Sequence, residues 1–136
     1  MREMLKAVRP TFNFNFHSYG NLLLYPFGYE EGLFPETEDR YIFESFVKDM
    51  TKYNKYAIGT GWSVPGLYVT NGEADDYTYG ELGIKALTSE VGPTADMFWP
   101  TRDRILPIAN EYSAFESLSP PIHFYVVCIL HHHPPS

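Results

Sequence analysis

Apolar and polar residues alternate over residues 11–17, with Phe12, Phe14 and Phe16 on one side and Asn13 and Asn15 on the other. Period two with aromatic residues predicts a β-strand, and it delivers a lone histidine, His17, to its end. Pro10 stops a short helical stretch over residues 1–9. After the Ser18-Tyr19-Gly20 turn, the apolar run 22–25 predicts a short buried strand, and residues 26–35, with two Pro and two Gly, predict a loop. Thr37 offers an N-cap, followed by Glu38 and Asp39 in the first turn. Ile42, Phe43, Phe46, Val47 and Met50 then repeat as a stripe down one side of a helix ending near Lys52.

Residues 53–71 show no period and many turn residues, and a long aromatic loop of this kind inside a compact domain points to function. Gly59-Thr60-Gly61 is no phosphate loop, because no Lys-Ser/Thr and no helix signal follow it. A short helix is expected over 75–81, ended by Gly80 or Gly83, and a strand over 84–91. A last helix from about Asp103 is expected to bury Ile105, Ile108, Tyr112 and Phe115. The division expected is a body over 1–118 and a divergent or unstructured tail over 119–136. Within that tail, residues 124–130 are β-prone and three histidines, His131 to His133, follow. Strands and helices in this order predict an α/β fold, a partial mixed twisted sheet with flanking helices and its site at the strand ends.

A chain of 136 residues with 44% apolar content suits one domain with a modest core. The net charge of −7 argues against nucleic acid, whose phosphates it would repel. No apolar run approaches the roughly 20 residues that a bilayer span needs, so no membrane partner is expected. The single cysteine, Cys128, excludes an internal disulfide. Aromatics at 17% fit either a tyrosine-rich core or a peptide or carbohydrate cleft.

Three blocks narrow the field. Residues 17–29, His-Ser-Tyr-Gly-Asn-Leu-Leu-Leu-Tyr-Pro-Phe-Gly-Tyr, resemble the segment of zinc carboxypeptidases of the funnelin type (carboxypeptidase A/B and T) that carries the third zinc ligand. Residues 68–80, Tyr-Val-Thr-Asn-Gly-Glu-Ala-Asp-Asp-Tyr-Thr-Tyr-Gly, resemble that family's tyrosine loop. Residues 84–92, Ile-Lys-Ala-Leu-Thr-Ser-Glu-Val-Gly, resemble the strand that ends in its catalytic glutamate. The likeness covers roughly residues 6–115 and corresponds to the C-terminal part of a full enzyme domain.

The resemblance implies removal of single C-terminal residues from peptides or proteins, with zinc as cofactor. It implies His17 as a zinc ligand and Glu90 as general base and proton shuttle. Tyr68 becomes the mobile phenol that closes over substrate, while Ser18 and Tyr19 line subsites across a cis peptide bond. Asp75, seven positions after Tyr68, falls at the base of the pocket for the C-terminal side chain, where an acid would pair with Lys or Arg. The alternative for Glu73, Asp75 and Asp76 is a solvated acidic turn. Members of the family are usually exported, which makes the parent secreted or extracellular. Residues 1–6 show no leader, as fits a chain that begins partway through a domain.

Zinc catalysis needs three protein ligands and an open position for water. The family's first two ligands come from a His-x-x-Glu motif, and none occurs here: His17 is followed by Ser-Tyr-Gly and His123 by Phe-Tyr-Val. The arginines and asparagine that clamp the substrate carboxylate have no counterpart either. The expectation is a chain that alone binds catalytic zinc weakly or not at all and hydrolyses nothing. An unpartnered sheet edge would favour self-association. The alternative is a non-catalytic module holding peptide tails or glycans in an aromatic cleft around Tyr19, Trp62 and Tyr68.

Overall fold

The computed structural model describes residues 1–111 and, as backbone, 124–128. Expectations for Tyr112, Phe115 and His131 to His133 lie outside the described residues. The elements in chain order are α1 (Arg2–Val8), β1 (Phe12–His17), β2 (Leu22–Leu24), α2 (Thr37–Met50), β3 (Ala57–Gly59), α3 (Ala74–Gly80), β4 (Lys85–Glu90), α4 (Arg102–Asn110) and β5 (Phe124–Cys128). The strands form one mixed sheet in the order β3-β2-β4-β1-β5. β1 pairs parallel with β4 and with β5, β2 pairs parallel with β3, and β2 meets β4 antiparallel. The α/β architecture of a mixed sheet with flanking helices is the one expected. Among the described residues no helix is long and apolar enough to cross a membrane.

Successive residues of a strand point to opposite sides, so register sorts the side chains into two layers. On one side, Phe12, Phe14, Leu23 and Leu87 pack with Tyr25 and with Phe43, Val47 and Met50 of α2 to form the core. On the other side lie Asn13, Asn15 and His17 of β1 beside Ala86, Thr88 and Glu90 of β4, with Leu22 and Leu24 of β2 next in line. The apolar side is closed by a helix; the polar side carries the chemistry. Lys85 at the start of β4 forms a 2.8 Å ion pair with Asp39, pinning α2 to the sheet.

Several local expectations need correction. The N-cap of α2 is Glu36 rather than Thr37, and no side chain caps it. Ile42 is exposed: it lies at the border of the stripe, where Phe43 and Val47 already fill the contact with the sheet. Residues 57–59, expected as loop, are β3, too short for alternation to show in the sequence. Helix α3 runs to Gly80 with Glu81 as its C-cap, and just beyond it Gly83 takes the left-handed φ of 65°, its N–H donating to the Tyr79 carbonyl at 2.9 Å and that of Ile84 to Thr78 at 3.1 Å. Helix α4 buries none of its residues, and Ile105 is exposed. The β-prone run from Phe124 does form a strand, β5, beside β1.

Candidate active site

Because β1 and β4 run parallel and in register, their last residues, His17 and Glu90, stand side by side at one end of the sheet. This is the strand-end position where α/β sheets mount their ligands. The chain then turns sharply. Ser18-Tyr19 is a cis peptide bond, as the family resemblance implies, and Pro26-Phe27 is another. The turn is held by the Gly92 carbonyl, which accepts from the N–H groups of Gly20 at 2.8 Å and Asn21 at 3.1 Å. Gly92 donates its own N–H to the Tyr56 hydroxyl at 3.2 Å, and that hydroxyl donates to Glu111 at 2.5 Å. Both strand ends are thereby tied to one another through the loops that leave them.

A cleft of about 410 Å³ opens here, lined among others by Ser18, Tyr19, Leu22, Leu24, Tyr68 and Glu90. Ser18, Tyr19, Tyr68 and Glu90 thus share one cavity, whereas His17 is not among the residues that line it. Tyr68 is 73% exposed, carried on the irregular stretch between β3 and α3. Phe98 closes another part of the wall, its ring edge-on to Tyr19 at 4.8 Å. Trp62, grouped with the cleft aromatics in the sequence, instead packs edge-on against Phe34 at 4.9 Å and is not among the lining residues.

Two carboxylates face this cleft. Glu90 is the expected one, half-buried, its pKa pushed up to about 7 by burial and then by the charge of Glu73. Glu73 is the residue that sequence reasoning missed as a site group. Burial, and then Asp76, raise it to about 7 as well. It accepts a hydrogen bond from the Thr70 hydroxyl and lies against Gly28, where a Cβ would sit 2.5 Å from its Oε2. The signal available was the close Gly28 backbone, visible only once the fold brings residues 28 and 73 together.

Asp75 and Asp76 are buried, so no solvated acidic turn exists there. Asp76 accepts from the Gly28 N–H at 3.0 and 3.2 Å. Asp75 is 3% exposed and is not among the residues lining the cleft. Its carboxyl accepts from Asn15 Nδ2 at 2.6 Å and from Thr88, which joins β1 to β4 one rung below His17 and Glu90. Gly28→Ala is expected to push the Glu73 carboxylate off the cleft wall, because the obstructing atoms belong to the movable end of that side chain. Melting temperature should change little, by the equivalent of about 1 kcal/mol. A crystal structure of the variant with Glu73 unmoved would refute the close-contact reading.

Among the described residues no group of three or more His, Cys, Asp or Glu side chains is placed to hold a metal ion. His17 supplies at most one ligand, so the described residues do not fit a catalytic zinc site with three protein ligands.

The zinc carboxypeptidase family matches residues 1–115. The crystal structure of thrombin activatable fibrinolysis inhibitor (TAFI) superposes with a TM-score of 0.64 at 23% identity, over 81% of this chain and 30% of that one. The superposition shows a shared fold and no more, and the chain spans under a third of its structural neighbour. No curated protein matches. With the family match running over residues 1–115, the chain belongs to the zinc carboxypeptidase family.

Proposed function

We propose that this chain carries the proton-transfer and substrate-wall part of a carboxypeptidase site, acting on peptide or protein C-termini. The observation that supports it most is the sharing of one cleft by Glu90, Ser18, Tyr19 and Tyr68. Glu90, at about 7, is poised to take a proton from water and to return it to a leaving amine near neutral pH. Tyr68 reaches over the opening as a mobile donor, and Ser18 and Tyr19 form the wall beside it. Glu73 on the wall, with Asp75 enclosed behind it, gives the pocket an acidic end suited to a C-terminal Lys or Arg. Zinc belongs to the complete site in this reading: His17 is one ligand and the remaining ligands come from elsewhere, so the chain alone hydrolyses nothing.

The lack of a three-ligand cluster among the described residues favours a second reading, a module that holds peptide tails or glycans in the aromatic cleft without catalysis. Calorimetry with zinc, and separately with a short peptide ending in arginine, tests both. The chain with His131 to His133 changed to alanine removes adventitious binding by that tract. The proposal expects no zinc binding above background. Peptide binding should weaken about tenfold in Tyr68→Phe, the effect of roughly one lost hydrogen bond. Submicromolar zinc affinity, abolished in His17→Ala, would mean that the chain completes its own metal site and that the incomplete-site reading is wrong. Binding of a glycan in place of the peptide would transfer the cleft to the second reading.

A further inference from the structure

Asn71-Gly72 sits in the rim of the cleft. Tyr68, Thr70 and Glu73 line the cavity on either side of it, and both residues of the pair are exposed. The loop is clipped beside them: the Thr70 N–H donates to the Gly28 carbonyl at 3.1 Å, and the Thr70 hydroxyl donates to Glu73. Among the described residues, no hydrogen bond holds the Asn71 side chain or the Gly72 N–H. Gly72 takes the left-handed φ of 83°, and a Cβ built there would meet nothing within 4 Å. Its backbone nitrogen has no side chain beside it to block an approach. The other five asparagines precede Phe14, Phe16, Leu22, Lys55 and Glu111, whose side chains crowd the same approach. Asn13 and Asn15 are fully buried as well. An exposed side-chain amide, an unpaired N–H on the next residue and a clear path between them favour ring closure within the pair.

We propose that Asn71 is a site of succinimide-mediated modification, which rebuilds the rim of the cleft. The Gly72 nitrogen gives up its proton to hydroxide and attacks Cγ of Asn71. The new N–Cγ bond closes a succinimide ring, while the side-chain nitrogen takes a proton from water and leaves as ammonia. A further water then opens the ring on either side of the Gly72 nitrogen. Cleavage of the N–Cγ bond leaves aspartate and restores the original backbone. Cleavage of the bond to the backbone carbonyl leaves isoaspartate, with the chain rerouted through the former side chain. The net change is one water consumed, one ammonia released and one carboxylate gained, with no oxidant or reductant. Either product sets a new negative charge two residues from Glu73. Isoaspartate also adds one methylene to the backbone between Thr70 and Glu73, the two residues whose side chains clip the loop.

The full chain is held at mildly alkaline pH, checked by circular dichroism to stay folded, and digested for mass spectrometry. The peptide bearing Asn71 should lose its amide at least about tenfold faster than the peptides bearing the other asparagines. Two isomeric products of equal mass are expected, and an isoaspartyl methyltransferase should label one of them. Gly72→Ala should slow the loss at least about tenfold, because the new methyl stands beside the attacking nitrogen. If that variant fails to fold, the isomer pair in the parent chain still reports the ring. An intact Asn71 in the folded chain, when a free peptide of residues 68–76 has reacted in the same buffer, overturns the proposal. The loop would then be holding the Gly72 nitrogen away from Cγ. Aspartate formed without isoaspartate, or a folded Gly72→Ala chain that reacts as fast as the parent, overturns the succinimide route.

Discussion

Phe43→Ala is expected to cost about 3–5 kcal/mol, a large part of the roughly 5–15 kcal/mol that holds a domain of this kind folded. Phe43 is fully enclosed. Its ring stacks on Tyr25 with centroids 5.6 Å apart and meets Tyr79 edge-on at 5.4 Å, so α2, the end of β2 and α3 converge on one side chain. Truncation removes a buried ring and leaves a cavity between elements that are separately anchored: Lys85–Asp39 holds α2 to β4, and the Tyr79 hydroxyl donates to Asp39 at 2.9 Å. These anchors restrain the collapse that would otherwise recover packing. Ile42→Ala, one residue away on the exposed side of the same helix, is expected to cost under about 0.5 kcal/mol. Urea unfolding followed by circular dichroism measures both. Similar midpoints for the two variants would mean that α2 is not seated on the sheet as described.

That contrast marks where the sequence stopped being informative. Period two in β1 and the stripe on α2 were readable because each is a local repeat long enough to show itself, and both lead to the core found. Three residues of β3 are too few to carry a period. Ile42 and Ile105 are apolar residues whose fate depends on how far the neighbouring element reaches, and no repeat encodes that distance. The site divides in the same way. The resemblance carried His17, Ser18, Tyr19, Tyr68 and Glu90 by residue type and spacing. That His17 and Glu90 are neighbours, though, follows from a parallel ladder between segments far apart in the chain. The acidic run at residues 73–76 read either as a solvated turn or, through Asp75, as the base of the side-chain pocket. A helix start instead sends Glu73 to the cleft, Asp75 under the sheet end and Asp76 to the Gly28 amide. Only the direction of each side chain distinguishes them, and direction is set by α3 docking against β4.

The burial of Asp75 also sets how stability responds to pH. Its pKa is raised from 3.8 to about 7, first by desolvation, against the hydrogen bonds from Thr88 and Asn15, with Glu73 and Asp76 adding like charge. An acid whose pKa is raised on folding holds its proton in the native state while the unfolded chain has lost it. Between about pH 4 and pH 7 the native state therefore binds more protons, and stability falls as pH rises through that window. Three pH units correspond to at most about 4 kcal/mol from this one group. Glu73, Asp76 and Glu90 are raised as well, so they slope in the same direction. Asp75→Asn separates the contributions. The amide keeps an oxygen to accept from Asn15 and cannot ionise, so the variant should lie closest to the parent near pH 4.5, where the loss from Asp75 has only begun. Near pH 8 it should melt well above the parent, with a shallower decline that reflects only the other carboxyls. Calorimetric melting from pH 4.5 to 8 reads this directly. Parallel profiles for parent and variant would mean that Asp75 is ionised in the fold at neutral pH, and that a counter-charge absent from the described residues faces it.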